Sequence, residues 1–287
     1  MSAFTILQVS DTHLSRTHGY FQDNWDAFID CVAEEQPDFV FVTGDMCFNG
    51  PVNPDDLAYA RSQMDRLPVA WRAIPGNHDI GDVPPDAKLK HPITADRRAL
   101  YRRHFGDEHW VMDMGEWRFV GLNAQLMDSG LPGEAEQMAM LEEALDGAGK
   151  RSTALIVHKP LYHAAPDETG RSPSTILPPA RRKLLALCVR HKVRLVASGH
   201  RHCYRSLRHG PTRLVWAPAS AFVDTSKAND GARLTRRVGY IRYRFDGRAF
   251  AHDFVEPPRF INHDLRNWMI AKGSTTYLPA RPLAAGA

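Results

Sequence analysis

Five short polar segments carry most of the residue types that can do chemistry: Asp11-Thr12-His13, Gly44-Asp45, Gly76-Asn77-His78-Asp79, His158 and Gly199-His200-Arg201-His202. They offer two carboxylates (Asp11, Asp45), an amide oxygen (Asn77) and four imidazoles (His13, His158, His200, His202), with His78 and Asp79 alongside. A mixed set of nitrogen and oxygen donors suits zinc, iron or manganese, and so many donors exceed the needs of one tetrahedral ion. If the segments meet, two metal ions are implied. The spacing in Asp11-x-His13 and His200-x-His202 puts both side chains of each pair on one side of an extended backbone, and glycines at 44, 76 and 199 let the chain turn sharply.

Each segment follows an apolar run of strand length. FTILQV (4–9) precedes Asp11, FVFVT (39–43) precedes Gly44, residues 69–74 precede Pro75-Gly76, 154–157 precede His158, and 193–198 precede Gly199. Stretches of helical period separate these runs: Trp25, Phe28, Ile29 and Val32 up to Pro37; Leu57, Ala60 and Met64 within 54–66; then 95–105, 133–145 with Met138, Leu141 and Leu145 inward, and 180–191. Strands alternating with helices indicate βα units, and in open α/β sheets ligands bind along the edge formed by the strands' carboxyl ends. The five segments are therefore expected to converge, although they run from residue 11 to residue 202.

Other elements flank this core. Trp110 to Met114 and Trp117 to Asn123 form a hairpin turning at Gly115-Glu116, and antiparallel strands occupy 213–256: one at 214–217, then 238–245 and 249–255 joined by Asp246-Gly247. Residues 162–179 hold four prolines and no periodicity, which predicts a long surface loop of the kind that lids a site. A short helix is expected over 261–271 and a frayed end over 283–287. No linker divides the chain, so residues 1–258 are expected to form a single catalytic domain and 259–287 a C-terminal helix and tail.

Composition narrows the partners. The 287 residues are 43% hydrophobic and carry a net charge of +3, with both signs well mixed, so no basic stripe for a nucleic-acid backbone stands out. Cys31, Cys47, Cys188 and Cys203 form no C-x-x-C pair, which argues for reduced thiols and against a zinc knot or disulfide framework. No apolar stretch approaches the roughly 20 residues that span a bilayer, and MSAFTILQVS lacks a basic leader region. A cytoplasmic location without a membrane partner is the expectation.

The ordered set D-x-H, G-D, G-N-H-D, lone H and G-H-x-H, within residues 4–202, resembles the calcineurin-like metallophosphoesterases. The resemblance implies a four-layer α/β/β/α sandwich of two mixed sheets in place of a plain doubly wound sheet, with the hairpin and the C-terminal strands supplying the second sheet. It also implies that Asp11, His13, Asp45 and His202 hold one divalent ion and that Asp45, Asn77, His158 and His200 hold the other, Asp45 bridging. Manganese, iron, zinc or cobalt would serve. His78 and Asp79 become the catalytic pair, His78 facing the phosphoryl group and Asp79 orienting it; Asn77 and His78 also touch substrate.

The chain is most similar to the bacterial class III cyclic-nucleotide phosphodiesterases and related glycerophosphodiesterases, which implies hydrolysis of a small phosphodiester by a metal-bridging hydroxide. A phosphomonoesterase, a pyrophosphate-cleaving relative and a non-catalytic metal-bound module are the alternatives. Purple acid phosphatases use G-D-x-x-Y, whereas this chain has Phe48 at the tyrosine and retains His13. Lys159 stands where a second histidine often follows the lone one. Substrate choice is expected to lie in residues 15–24, 128–134 and 162–179, with His18, His163 and Arg171 as contacts. A homodimer fits family habit and the apolar tail around Trp268 and Met269.

Overall fold

A computed structural model describes residues 3–83, 91–225 and 234–265. The chain runs β1 (Phe4–Val9), α1 (Gln22–Glu35), β2 (Phe39–Val42), α2 (Asp55–Met64), β3 (Trp71–Ala73), α3 (Asn77–Ile80) and α4 (Ala95–Phe105). It continues through β4 (Trp110–Met114), β5 (Trp117–Leu122), α5 (Glu134–Asp146), β6 (Ser152–Val157), α6 (Pro178–Arg190) and β7 (Leu195–Ser198). Six strands follow: β8 (Arg205–His209), β9 (Thr212–Trp216), β10 (Phe222–Val223), β11 (Tyr240–Asp246), β12 (Ala249–Val255) and β13 (His263–Asp264).

Alternation along the strands sets up the layers. In β1 and β2, Ile6, Phe39 and Phe41 point one way while Leu7, Val9, Val40 and Val42 point the other. Both faces are covered, which is why these strands read as continuous apolar runs. The outer set packs on Trp25, Phe28 and Val32 of α1, Leu57, Ala60 and Met64 of α2 and Tyr101 of α4. The inner set meets Trp117, Phe119, Ala154, Ile156, Leu195, Ala197 and Val215 of the other sheet. That sheet turns Val120, Leu122, Leu155, Val157, Val196 and Leu214 onto Leu141, Ala144 and Leu145 of α5 and Leu184, Leu185 and Cys188 of α6. The result is the expected α/β/β/α sandwich.

One sheet has the order β12-β11-β1-β2-β3, the other β4-β5-β6-β7-β9-β8, and β10 pairs with β13. Both large sheets are mixed: β1, β2 and β3 are parallel, as are β5, β6, β7 and β9, while β11, β12, β4 and β8 are antiparallel to their neighbours. The β4-β5 hairpin lies in the second sheet as expected, but β11 and β12 do not. Leu7 pairs with Arg242 and Ile6 with Tyr243, so the C-terminal hairpin extends the first sheet. Strand β9 pairs antiparallel to β8 as expected, and parallel to β7 on its other side. The segment 162–179 is not a surface loop throughout, because Tyr162, Thr175, Ile176 and Leu177 are buried and α6 already starts at Pro178, where proline's fixed φ suits a helix's first turn. The expected helix over 261–271 begins instead with β13, and the rest of that tail, with Trp268 and Met269, lies outside the described residues.

A buried ion pair joins the two halves. Glu108, between α4 and β4, accepts from Arg98 Nε (3.0 Å), Arg102 Nη1 (2.9 Å) and Asn123 Nδ2 (2.8 Å). Burial alone would raise the Glu108 pKa, but the Arg98 hydrogen bond and charge hold it below the usual carboxylate range. A depressed folded-state pKa contributes stability that is present above the unfolded value and lost as pH falls through the folded one. Glu108→Gln is expected to cost about 3 kcal/mol at pH 7, because a buried guanidinium loses its partner. Urea unfolding at pH 7 and again in acid, below the ordinary glutamate range, should show that difference shrinking.

Candidate metal centre

All five strands that precede the polar segments deliver their carboxyl ends to one edge of the sandwich. The loops after β1 and β2 are zipped together: the Asp11 N–H donates to Gly44 O (3.0 Å), His13 N–H to Asp45 O (3.0 Å) and Leu14 N–H to Met46 O (2.8 Å). The Gly199 N–H donates to His158 O (2.9 Å), which joins the loops after β6 and β7 in the same way. Asp11, His13, Asp45, His200 and His202 all have positive φ, at 54°, 44°, 51°, 67° and 50°. Such conformations cost about 1–3 kcal/mol each in non-glycine residues and concentrate at functional sites.

The turns aim the side chains at one another. Asp11, His13, Asp45 and His202 place donor atoms within 4.8 Å of one another, and Asp45, His158 and His200 do the same, so Asp45 belongs to both groups. His13 Nε2 lies 3.3 Å from His202 Nε2, which is 3.3 Å from Asp11 Oδ1. His158 Nε2 lies 3.3 Å from Asp45 Oδ2, 3.3 Å from Asn77 Oδ1 and 3.1 Å from His200 Nδ1. With metal–nitrogen distances of about 2.0–2.1 Å, ligands of a tetrahedral ion stand roughly 3.3 Å apart. Asp11 Oδ1 is buried without a hydrogen-bond partner, a costly arrangement for a carboxylate oxygen that a cation would relieve. The residues fit a pair of divalent ions.

Second contacts fix the orientation of the donors. His158 Nδ1 is 2.8 Å from Thr43 O, and His200 Nε2 is 3.1 Å from Pro173 O. A carbonyl only accepts, so these nitrogens carry the protons, leaving His158 Nε2 and His200 Nδ1 to face the site. Asp11 Oδ2 accepts from Ser10 Oγ (2.5 Å) and the His200 N–H (2.9 Å), and Asp45 Oδ1 accepts from the His78 N–H (2.7 Å). Each carboxylate thus spends one oxygen on the protein and keeps the other for the site.

The electrostatics agree with this division. Burial, then the charges of His78 and His202, hold His13 well below the usual histidine pKa; burial, then His158, does so for His200. Both are therefore neutral, as metal ligation requires. Burial works against the charged forms of Asp45 and His158 too, yet their mutual attraction wins: Asp45 is held well below the carboxylate range and His158 is raised to about 9. A position that holds a proton between His158 and Asp45 is one a cation can take, with the proton released.

The structure gathers the expected donors but rearranges the other predicted residues. Asn77 and His78 open α3 and line a cavity of about 440 Å³ beside the donors. His78 packs edge-on to His13 at 4.6 Å, and its Nδ1 is 2.7 Å from Phe48 O. Asp79 does not orient that ring. Its buried carboxylate accepts from the Gly76 N–H (2.8 Å) and the Cys47 N–H (3.0 Å), fastening the start of α3 to the loop after β2. Burial, then the nearby Asp45 charge, raises Asp79 to about 6.

His18, His163 and Arg171 are not on the cavity wall. His18 stacks behind it on Phe48 (5.2 Å, 8°), His163 faces Trp216 at 6.1 Å, and Arg171 is exposed. The wall is built instead by Phe48, Asp82, Pro173, Ser174, Arg201, Phe222, Asp224 and Arg236. Phe222 packs on His202 (4.4 Å) and His13 (5.0 Å) from β10, which β13 holds in place. Arg201 was visible as the variable residue of G-H-x-H, and Asp82 follows G-N-H-D closely; Phe222, Asp224 and Arg236 belong to no motif.

A four-layer sandwich with two donor groups sharing one aspartate at its strand ends defines the metallophosphoesterase class of protein. The chain belongs to the calcineurin-like phosphoesterase family, whose model matches residues 4–204. Members of that family typically bind two divalent metals. A probable cyclic nucleotide phosphodiesterase of Xenorhabdus bovienii is 24% identical over 250 residues, covering 82% of this chain and 93% of that one. Among solved structures, purple acid phosphatase PPD1 of yellow lupin superposes with a TM-score of 0.66 at 16% identity, covering 99% of this chain, which spans 57% of that protein's length. A dimetal phosphatase of Danio rerio gives 0.59 at 12% identity, covering 88% and 95%. Among the described residues no helix is long and apolar enough to cross a membrane.

Proposed function

We propose that the chain is a dinuclear-metal phosphodiesterase acting on small phosphodiesters of the cyclic-nucleotide or glycerophosphodiester type. The observation that carries this reading is the sharing of Asp45 by two donor groups beside an open cavity. The name of the Xenorhabdus bovienii relative supports diesters over monoesters. Asp11, His13, Asp45 and His202 hold one ion, and Asp45, Asn77, His158 and His200 the other. Manganese, iron, zinc and cobalt all suit these donors. Divalent ions in such a pair supply Lewis acidity and make hydroxide available near neutral pH.

The chain's own residues place the substrate. His78, whose Nδ1 is committed to Phe48 O, keeps Nε2 for a phosphoryl or leaving-group oxygen. Asp79 acts at a distance, by holding α3 and therefore Asn77 and His78 in register with Asp45. Phe222 excludes water from one flank of the His13 and His202 rings. The test compares kcat/KM for bis-p-nitrophenyl phosphate and p-nitrophenyl phosphate under each of the four metals. A diester preference of about tenfold or more is expected; a monoester preference would overturn the diester reading.

A further inference from the structure

Lys159, the residue after His158, is completely buried. A buried ammonium is stable only beside an opposite charge, and its partner is Asp82 Oδ1, to which it makes a close ion pair. Asp82 follows α3, and its side chain, 17% exposed, lies on the cavity wall with Asn77 and His78. Backbone bonds tie it to the residues before α4: its N–H donates to His91 O (2.8 Å), and its carbonyl accepts from the Ile93 N–H (2.7 Å). Oδ1 also accepts the Val83 N–H (2.7 Å). The hydrogen bonds to this carboxylate all fall on Oδ1, and Oδ2 has no hydrogen-bond partner among the described residues.

We infer that Asp82, charged and fixed by Lys159, selects phosphate esters whose alcohol part carries a free hydroxyl. This rests on the phosphoesterase reading given above. An ionised carboxylate only accepts hydrogen bonds, so at the cavity wall it favours a substrate group that donates one. Lys159 already neutralises it from behind, which removes the need for a cationic substrate group and leaves a neutral hydroxyl as the matching donor. The ammonium itself cannot reach the cavity, so Lys159 is a positioning residue. Polyol and ribose esters are the substrates of this description.

The test uses a matched pair of esters, 2,3-dihydroxypropyl p-nitrophenyl phosphate and propyl p-nitrophenyl phosphate, with metal-loaded protein. A hydrogen bond to a charged group corresponds to a preference of about 10- to 100-fold for the dihydroxy ester in kcat/KM. That preference should lie in KM. In Asp82→Ala/Lys159→Met, which removes both charges of the pair together, the ratio should fall towards one. Asp82→Asn, which keeps the side chain's shape, should lower it to an intermediate value and serves if the double variant does not fold. Calorimetric binding of glycerol 3-phosphate against propyl phosphate should change in parallel. This arm reads the inference even if neither ester is hydrolysed, the outcome that would instead sink the phosphodiesterase reading. A wild-type ratio near one, or variants that keep the wild-type ratio in both assays, would overturn the role of Asp82.

Discussion

Asp45→Ala is expected to lose bound metal at both positions at once and to reduce kcat/KM on any phosphate ester by on the order of 10³-fold or more, since losing even one preorganised electrostatic contact at a reacting centre costs about 10²–10³-fold. Asp45 is the one residue common to both donor groups. Its two oxygens do different work, Oδ1 accepting the His78 N–H at 2.7 Å while Oδ2 stands 3.3 Å from His158 Nε2. Truncation therefore frees the start of α3 and leaves His158 without the anion that balances it. Asn77→Ala touches the second group only, so it should release one ion and keep the other. Elemental analysis of the purified variants, with circular dichroism to establish folding, separates the two outcomes. Equal metal loss in both would show that Asp45 is not shared.

Gly199→Ala should be almost as damaging although no donor is removed. A Cβ at Gly199 would collide with Ser10 Oγ and lie 2.7 Å from Asp11 Oδ2, the oxygen that holds the His200 N–H. Ser10 and Asp11 are completely buried, so the strain has nowhere to go except into the donor set. A displacement of about 1 Å at a reacting centre costs on the order of 10²-fold in rate. Gly170→Ala is the control, because nothing lies within 4 Å of the added methyl there. Metal affinity and kcat/KM should both fall for Gly199→Ala and stay at wild-type values for Gly170→Ala. Adding Ser10→Gly to the damaged variant should recover part of the loss, since it removes the hydroxyl that the methyl strikes.

The donors were legible in the sequence for a physical reason. Strands β1, β2, β6 and β7 are buried on both faces and stand out as apolar runs, and each is followed directly by the residues it presents. What the sequence conceals is long-range pairing. Nothing local to residues 240–255 says that they meet β1 rather than β8, since that choice depends on contacts such as Leu7 with Arg242. Strand β8 was missed because its sequence, RSLRH, is that of a half-buried edge with no apolar run. His18, His163 and Arg171 were plausible loop contacts, yet residue type in a loop gives no direction; a stacking partner, Phe48, turned His18 behind the wall. The Asp82–Lys159 pair spans 77 positions, and neither residue signals the other. Asp79 was visible, but its bonds to Gly76 and Cys47 depend on how the loop after β2 folds back over α3.

If Asp45 organises two cation sites, the number of ions bound per chain shows it most directly. Wild-type protein dialysed to equilibrium against manganese, and separately against zinc, should hold two ions per chain by elemental analysis. One ion or none per chain under both metals would contradict it.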